Sequence, residues 1–221
     1  MKNITIILII FVSFYGCIHY DIELNETYHK FNNDDENLII NYNYEVDQII
    51  TYKNQFNEEI HFKVTQNQRK KRGKWEGNWV TSSTFSHYYE SKIIRLEIVE
   101  NEANYGDEVV HYIFSKSYNK FKNGINFPIW NVNYFSFIDE IQEDVNLHLR
   151  DYNGITKVEM NINGHLFQKV ITLNSGSDLL LSGSLGAMLP NSINKLYYDY
   201  EFGVIQFNDI DGKEWKIIYP N

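Results

Sequence analysis

The stretch Glu58-Glu59-Ile60-His61-Phe62-Lys63-Val64-Thr65-Gln66 decides the fold class. Ile60, Phe62 and Val64 fall on one side, His61 and Lys63 on the other. Successive side chains alternate across a strand, so this period of two reads as a half-buried β-strand. The same pattern recurs on both sides of it. Upstream, residues 38–46 (LIINYNYEV) alternate polar and apolar from Ile40 to Val46 and read as strand, and residues 48–54 (QIITYKN) follow. Downstream, residues 84–100 carry Ile94, Leu96 and Ile98 opposite Arg95 and Glu97, and residues 107–121 put Val110, Tyr112 and Phe114 on one face.

The last third repeats the theme. Val158, Met160 and Ile162 share a face, and Asn163-Gly164 is a strong hairpin signal. Asp211-Gly212 turns a second hairpin with arms GVIQF and EWKII, in which Trp215 reads as a core anchor. Eight to ten strands with short connections predict an all-β antiparallel meander. Such a sheet buries one face by forming a curved sheet or lipocalin-like barrel, with a β-sandwich as the alternative. One segment breaks the period. Phe135, Ile138, Ile141 and Val145 are spaced three, three and four apart, with Asp139, Glu140, Glu143 and Asp144 between them, which predicts one short amphipathic helix near 134–143. Residues 175–193, rich in Ser and Gly, predict a long loop with a short helical turn at Asp178 to Leu181.

The N-terminus reads as an address. Lys2 precedes a nearly unbroken apolar run from Ile4 to Val12, too short for the roughly 18–20 residues of a bilayer span. Gly16 then precedes Cys17, the only cysteine of the chain. The stretch Phe14-Tyr15-Gly16-Cys17 resembles a bacterial lipoprotein signal, although Phe14 and Tyr15 depart from its commonest form. The resemblance implies cleavage before Cys17, a diacylglycerol on its sulfur, and an acyl chain such as palmitate on its amino group. Plain secretion is the alternative, and a retained segment a further one. The chain divides into a signal peptide at 1–16, a lipidated cysteine and tether at 17–37, and one β-rich domain at 38–221. Asp34, Asp35 and Glu36 read as a solvated turn of that tether. With no second cysteine, stability rests on the core.

Residues 197–207 and 211–215, together with 163–170, look like the ends of uncharacterised cell-envelope lipoproteins of the Bacteroidota. That resemblance implies envelope location and β structure, and no catalytic residues. The net charge of −9 argues against nonspecific nucleic-acid binding, which runs on positive charge.

Arg69-Lys70-Lys71-Arg72-Gly73-Lys74 is the sharpest local anomaly, five of the 20 basic residues within six positions, flanked by Trp75 and Trp79. It reads as an anion or surface contact, and equally as a solvated hairpin tip turned at Gly73. With a second turn at Tyr105, His61, His87 and His111 do not converge, and no HExxH occurs, so no metal site is expected. Asp139 and Glu143 have no selective spacing for glycoside hydrolysis. Ser182-Gly183-Ser184-Leu185-Gly186 lacks a nucleophile-elbow pattern. Asp209 to Glu214 is too short for a calcium loop. No catalytic residue and no cofactor is assigned. The sequence therefore predicts a membrane-anchored envelope protein with a noncatalytic binding role toward a small hydrophobic molecule, glycan, lipid or protein partner. A structural or assembly accessory is the alternative, and a hydrolase the third reading.

Overall fold

The computed structural model describes residues 27–77, 84–100, 109–118, 120–128, 130, 136–138, 143–152, 154–175 and 193–220. The alternating segments other than residues 38–46 become strands, joined by shorter ones: β1 (Tyr28–His29), β2 (Ile49–Lys53), β3 (Glu59–Glu76), β4 (Thr84–Ile98), β5 (Val109–Ser117), β6 (Lys120–Asn126), β7 (Ser136–Ile138), β8 (Glu143–Val145), β9 (Leu147–His148), β10 (Val158–Ile162), β11 (His165–Asn174), β12 (Ile193–Asp199), β13 (Gly203–Asp209) and β14 (Glu214–Ile218). Residues 38–46, expected as a strand, join no ladder, because the Asn41 and Tyr42 N–H groups both donate to the Glu201 carbonyl instead. Twelve of them join in one curved, half-barrel sheet ordered β10-β11-β12-β13-β14-β2-β3-β4-β5-β6-β9, with β1 attached to β4. Every pairing along this order is antiparallel, and β1 pairs parallel with β4. The two predicted hairpins form where expected. Asn163 and Gly164 both take positive φ between β10 and β11, the condition of the tight turn Asn-Gly favours. Gly212 turns β13 into β14.

Alternation sends Ile50, Tyr52, Ile60, Phe62, Val64, Ile94, Leu96, Tyr112 and Phe114 into one core with Phe207, Trp215 and Ile217. Its centre is aromatic. Phe207 lies 5.2 Å from Tyr52, 5.3 Å from Phe127 and 6.0 Å from Trp215, centroid to centroid. Trp215 is the buried anchor the sequence implied. On the other face of the same strands Tyr89, Ile93 and Ile113 form a smaller cluster with Val145.

Three further expectations are corrected. The described part of the predicted helix at 134–143 is extended, because Ser136 to Ile138 pair antiparallel with Glu143 to Val145. The short α-helix is instead α1 (Asn33–Glu36), where the sequence suggested a solvated turn. Asn32 and Asp35 cap it reciprocally, each side chain accepting the other's backbone N–H at 2.9 Å. The segment read as tether is packed from Thr27 onward. Tyr88 N–H donates to the Thr27 carbonyl, and Phe31 is buried against Phe121. Asp35, only 5% exposed, meets the buried Lys116 ammonium at 2.7 and 3.1 Å. Lys92 donates to the Ile40 carbonyl at 2.6 Å. Residues 27–44 thus close part of the inner face of the sheet. Their far end meets β13 at Gly203 (φ 106°), where a Cβ would stand 2.9 Å from the Tyr112 ring and 3.1 Å from Ile40.

Lys116→Met strands a buried carboxylate and is expected to cost about 3–5 kcal/mol in urea unfolding. Adding Asp35→Asn removes the unpaired charge and recovers most of that loss. A single variant within about 1 kcal/mol of the parent would show that the pair does not hold this segment.

Candidate functional site: the basic arm

The basic run lies inside a strand, not at a hairpin tip. β3 pairs with β2 only from Glu59 to Lys63, then continues with β4 as far as Glu76. Gly73, expected to turn the chain, sits opposite Tyr88 in that ladder. β5 leaves β4 at Glu90, opposite Lys116. Residues 69–76 and 84–89 therefore project past the body as a two-stranded arm. β1 fills the place β5 vacates, with Tyr28 opposite Tyr88 and His29 opposite Tyr89.

Strand alternation splits the run between two faces. On the first, Arg69 bridges Glu36 (2.6 Å) and Glu90 (2.7 Å), its guanidinium over Phe31. The two carboxylates raise its already high pKa further. Lys71 sits 3.4 Å above the Tyr88 ring centroid and 5.3 Å from that of Tyr28, a cation–π clamp. Gly73 gives the neighbouring rings room, since a Cβ there would lie 3.1 Å from Phe85. Trp75, 63% exposed, packs edge-on against Phe85, which leans on Tyr88. The result is an open aromatic strip with one clamped cation.

The second face carries Lys70, Arg72 and Lys74, opposite Ser91, Tyr89 and His87. Neither Lys70 nor Arg72 has an acidic partner among the described residues. Arg72, opposite Tyr89 in the ladder, is half-buried, and its Nε is shielded from solvent without a hydrogen-bond partner. Two guanidinium and ammonium groups with no internal counterion, beside a third basic residue at strand spacing, can take anions from outside. Beyond Lys63 the far edge of β3 bears no partner strand among the described residues, so the same charges also deter edge-to-edge pairing. Cys17, Trp79, Asp139, Glu140 and Ser182 to Gly186 lie outside the described residues. Glu143 and Asp144 stand on β8, not on a helix.

The sequence did not single out an aromatic cleft of about 100 Å³ between the β10–β11 and β12–β13 turns. Tyr42, Phe167, Phe202 and Tyr219 line it, with His165 stacked on Tyr219 at 3.6 Å. The four rings lie 4.5–6.0 Å apart and so pack on one another as its wall. Its carboxylates are engaged. Asp199 accepts the backbone N–H groups of Lys169, Glu201 and Phe202, and Glu201 pairs with Lys169 at 2.6 Å. It is a packed aromatic cluster, and the arm is the better candidate. Asp209, in the turn once compared with a calcium loop, accepts from the N–H groups of Asp211 and Lys213.

The histidines remain apart: His61 pairs with Glu100, His87 is buried at the root of the arm, and His111 faces Arg95 across the ladder. Among the described residues no three potential ligands converge on a metal position. Compared with known proteins, the chain matches no family model, no curated protein and no solved structure.

Burial, helped by Arg95, pulls the His111 pKa from 6.5 down to about 4. The sign follows from linkage: as pH falls below 6.5 the unfolded chain takes a proton that the folded one refuses until about 4. The folded state therefore loses stability across that window, by on the order of 1–3 kcal/mol after allowance for its partial exposure. His111→Asn is expected to flatten this part of the curve of unfolding free energy against pH. An unchanged slope in the variant would rule the residue out as its source.

Proposed function

We propose that this chain is a noncatalytic envelope protein, held to a membrane through Cys17, that makes contact with an anionic component of the envelope through the β3–β4 arm. The observation that carries the reading is the pairing of uncompensated Lys70 and Arg72 with the exposed Trp75 on one projecting ribbon. Positive charge supplies attraction, and a large amphipathic ring supplies contact area at low entropic cost. The inner face of the sheet is filled by Tyr52, Phe62, Tyr112, Phe114 and Phe207 packed among aliphatic side chains, which favours an accessory acting by surface contact over a carrier enclosing a small hydrophobic molecule. The signal-like N-terminus supports the envelope address.

The test begins with the intact mass of protein extracted from membranes, beside Cys17→Ala. The expected mass is that of residues 17–221 plus diacylglycerol and one acyl chain, with both lipid and membrane retention lost in the variant. An unlipidated mass cut near position 17 would replace the anchor with plain secretion, and an uncut chain would remove the signal reading altogether.

A further inference from the structure

The direction of one short strand points to what the arm touches. β1 runs parallel to β4, and β4 runs from the arm's tip, near Thr84, into the body. The described chain therefore begins, at Thr27 and Tyr28, beside Tyr88 of the arm and pointing back along it toward Thr84, about 13 Å further on at strand rise. Tyr28 is fastened there by the ladder and by the ammonium groups of Lys30 (5.2 Å) and Lys71 (5.3 Å) over its ring. Cys17 lies ten residues before Thr27, and ten residues span at most about 36 Å. An anchor at Cys17 thus keeps the arm within reach of the membrane surface, because the described chain begins beside it.

We infer that the arm's anionic partner is the phospholipid headgroup layer of the membrane that carries the anchor. The inference rests on the lipid anchor proposed above and adds the contact it would enforce. The chemistry of both faces suits that layer. Lys70 and Arg72 present charge to phosphate, with Lys74 beside them on the same face, and basic clusters beside a membrane attachment point are attracted to anionic lipid. Trp75, exposed and edge-packed on Phe85, is the residue type that settles at headgroup level. The rest of the chain is acidic enough to bring the whole to −9, so an anionic surface selects the arm and repels the body. Acyl chain and basic patch then act as two linked attachments.

The test is amine acetylation, read residue by residue by mass spectrometry, on the full anchored protein reconstituted into two kinds of vesicle. One is pure phosphatidylcholine, and the other contains roughly a third phosphatidylglycerol. Lys70 is expected to react about five-fold more slowly on the anionic vesicles, with the protection lost at high salt, while Lys53 and Lys216, at the opposite end of β3 from the arm, react equally on both. Lys74, on the same face, is the internal reporter for a charge-reversed arm, Lys70→Glu with Arg72→Glu, in which any slowing of its reaction by anionic vesicles should vanish while the fold remains intact by circular dichroism. Equal rates on both vesicles, with the lipid-modified mass confirmed, overturn the inference and leave the anchor standing. If the mass shows no lipid, the same unanchored protein mixed with the anionic vesicles decides: protection of Lys70 supports headgroup contact without the anchor, and none overturns it. Protection seen only in native membranes, and never on vesicles, also overturns it in favour of an acidic glycan or protein.

Discussion

The buried Asp35–Lys116 pair is the constraint on which the shape of the molecule depends. A half-barrel left open on one side would expose Phe114, Tyr112 and Ile94 to water. Residues 27–44 cover them, and polar contacts fasten them, among them Asp35 to Lys116, Lys92 to the Ile40 carbonyl, Arg69 to Glu36 and the Phe31 N–H to Glu90. Of these, Asp35–Lys116 is the most buried, so breaking it leaves a charge with no water to turn to. The exposed Arg69 pairs contribute less, because solvent screens them. Phe31 and Tyr44 then add apolar area around a position already set by charge. Placing this segment also places β1 on β4, and with it the direction in which the chain leaves the body.

Much of the sheet was legible because its strands alternate cleanly and its tight turns carry Asn-Gly and Asp-Gly. Segments whose structure is set by distant partners were not. Asp35 looks like a solvated acid until Lys116, 81 positions away, is brought beside it. The false helix has a similar origin. Ile138 and Val145 are spaced as if on one helical face, but Val145 turns to pack over Gly124, where an added Cβ would come within 2.8 Å of it. A strand of three residues is too short to display a period, so the longer-range spacing won the reading.

Gly73 misled for a different reason. In an isolated sequence, Gly between basic residues suggests a turn. In the ladder it is the position where the rings of Phe85 and Tyr88 approach the backbone, the other common use of glycine within a strand. This difference of one turn moves the basic run from a tip to the shaft of an arm, and divides five charges between two faces that do unlike things. The candidate residues were therefore visible in the sequence, but their division was not. The aromatic cleft was invisible for the reason that β11, the turn before β13 and the end of β14 meet only through the sheet order.

The two faces of the arm depend on each other. A free ribbon of like charges would splay, since two paired strands alone are marginal in water. Here the first face consumes its cations internally: Arg69 in ion pairs and Lys71 between tyrosine rings, with Trp75, Phe85 and Tyr88 packed beside them. Those contacts hold the strands in register, and β1 widens the ribbon's root to three strands. Rigidity gained on that side allows Lys70 and Arg72 to stay uncompensated on the other without unravelling the ladder. A surface meant only to resist edge pairing needs charge but no such stiffening. A surface that must present its cations to an external layer needs both, because ordering them at the moment of contact would offset part of the attraction.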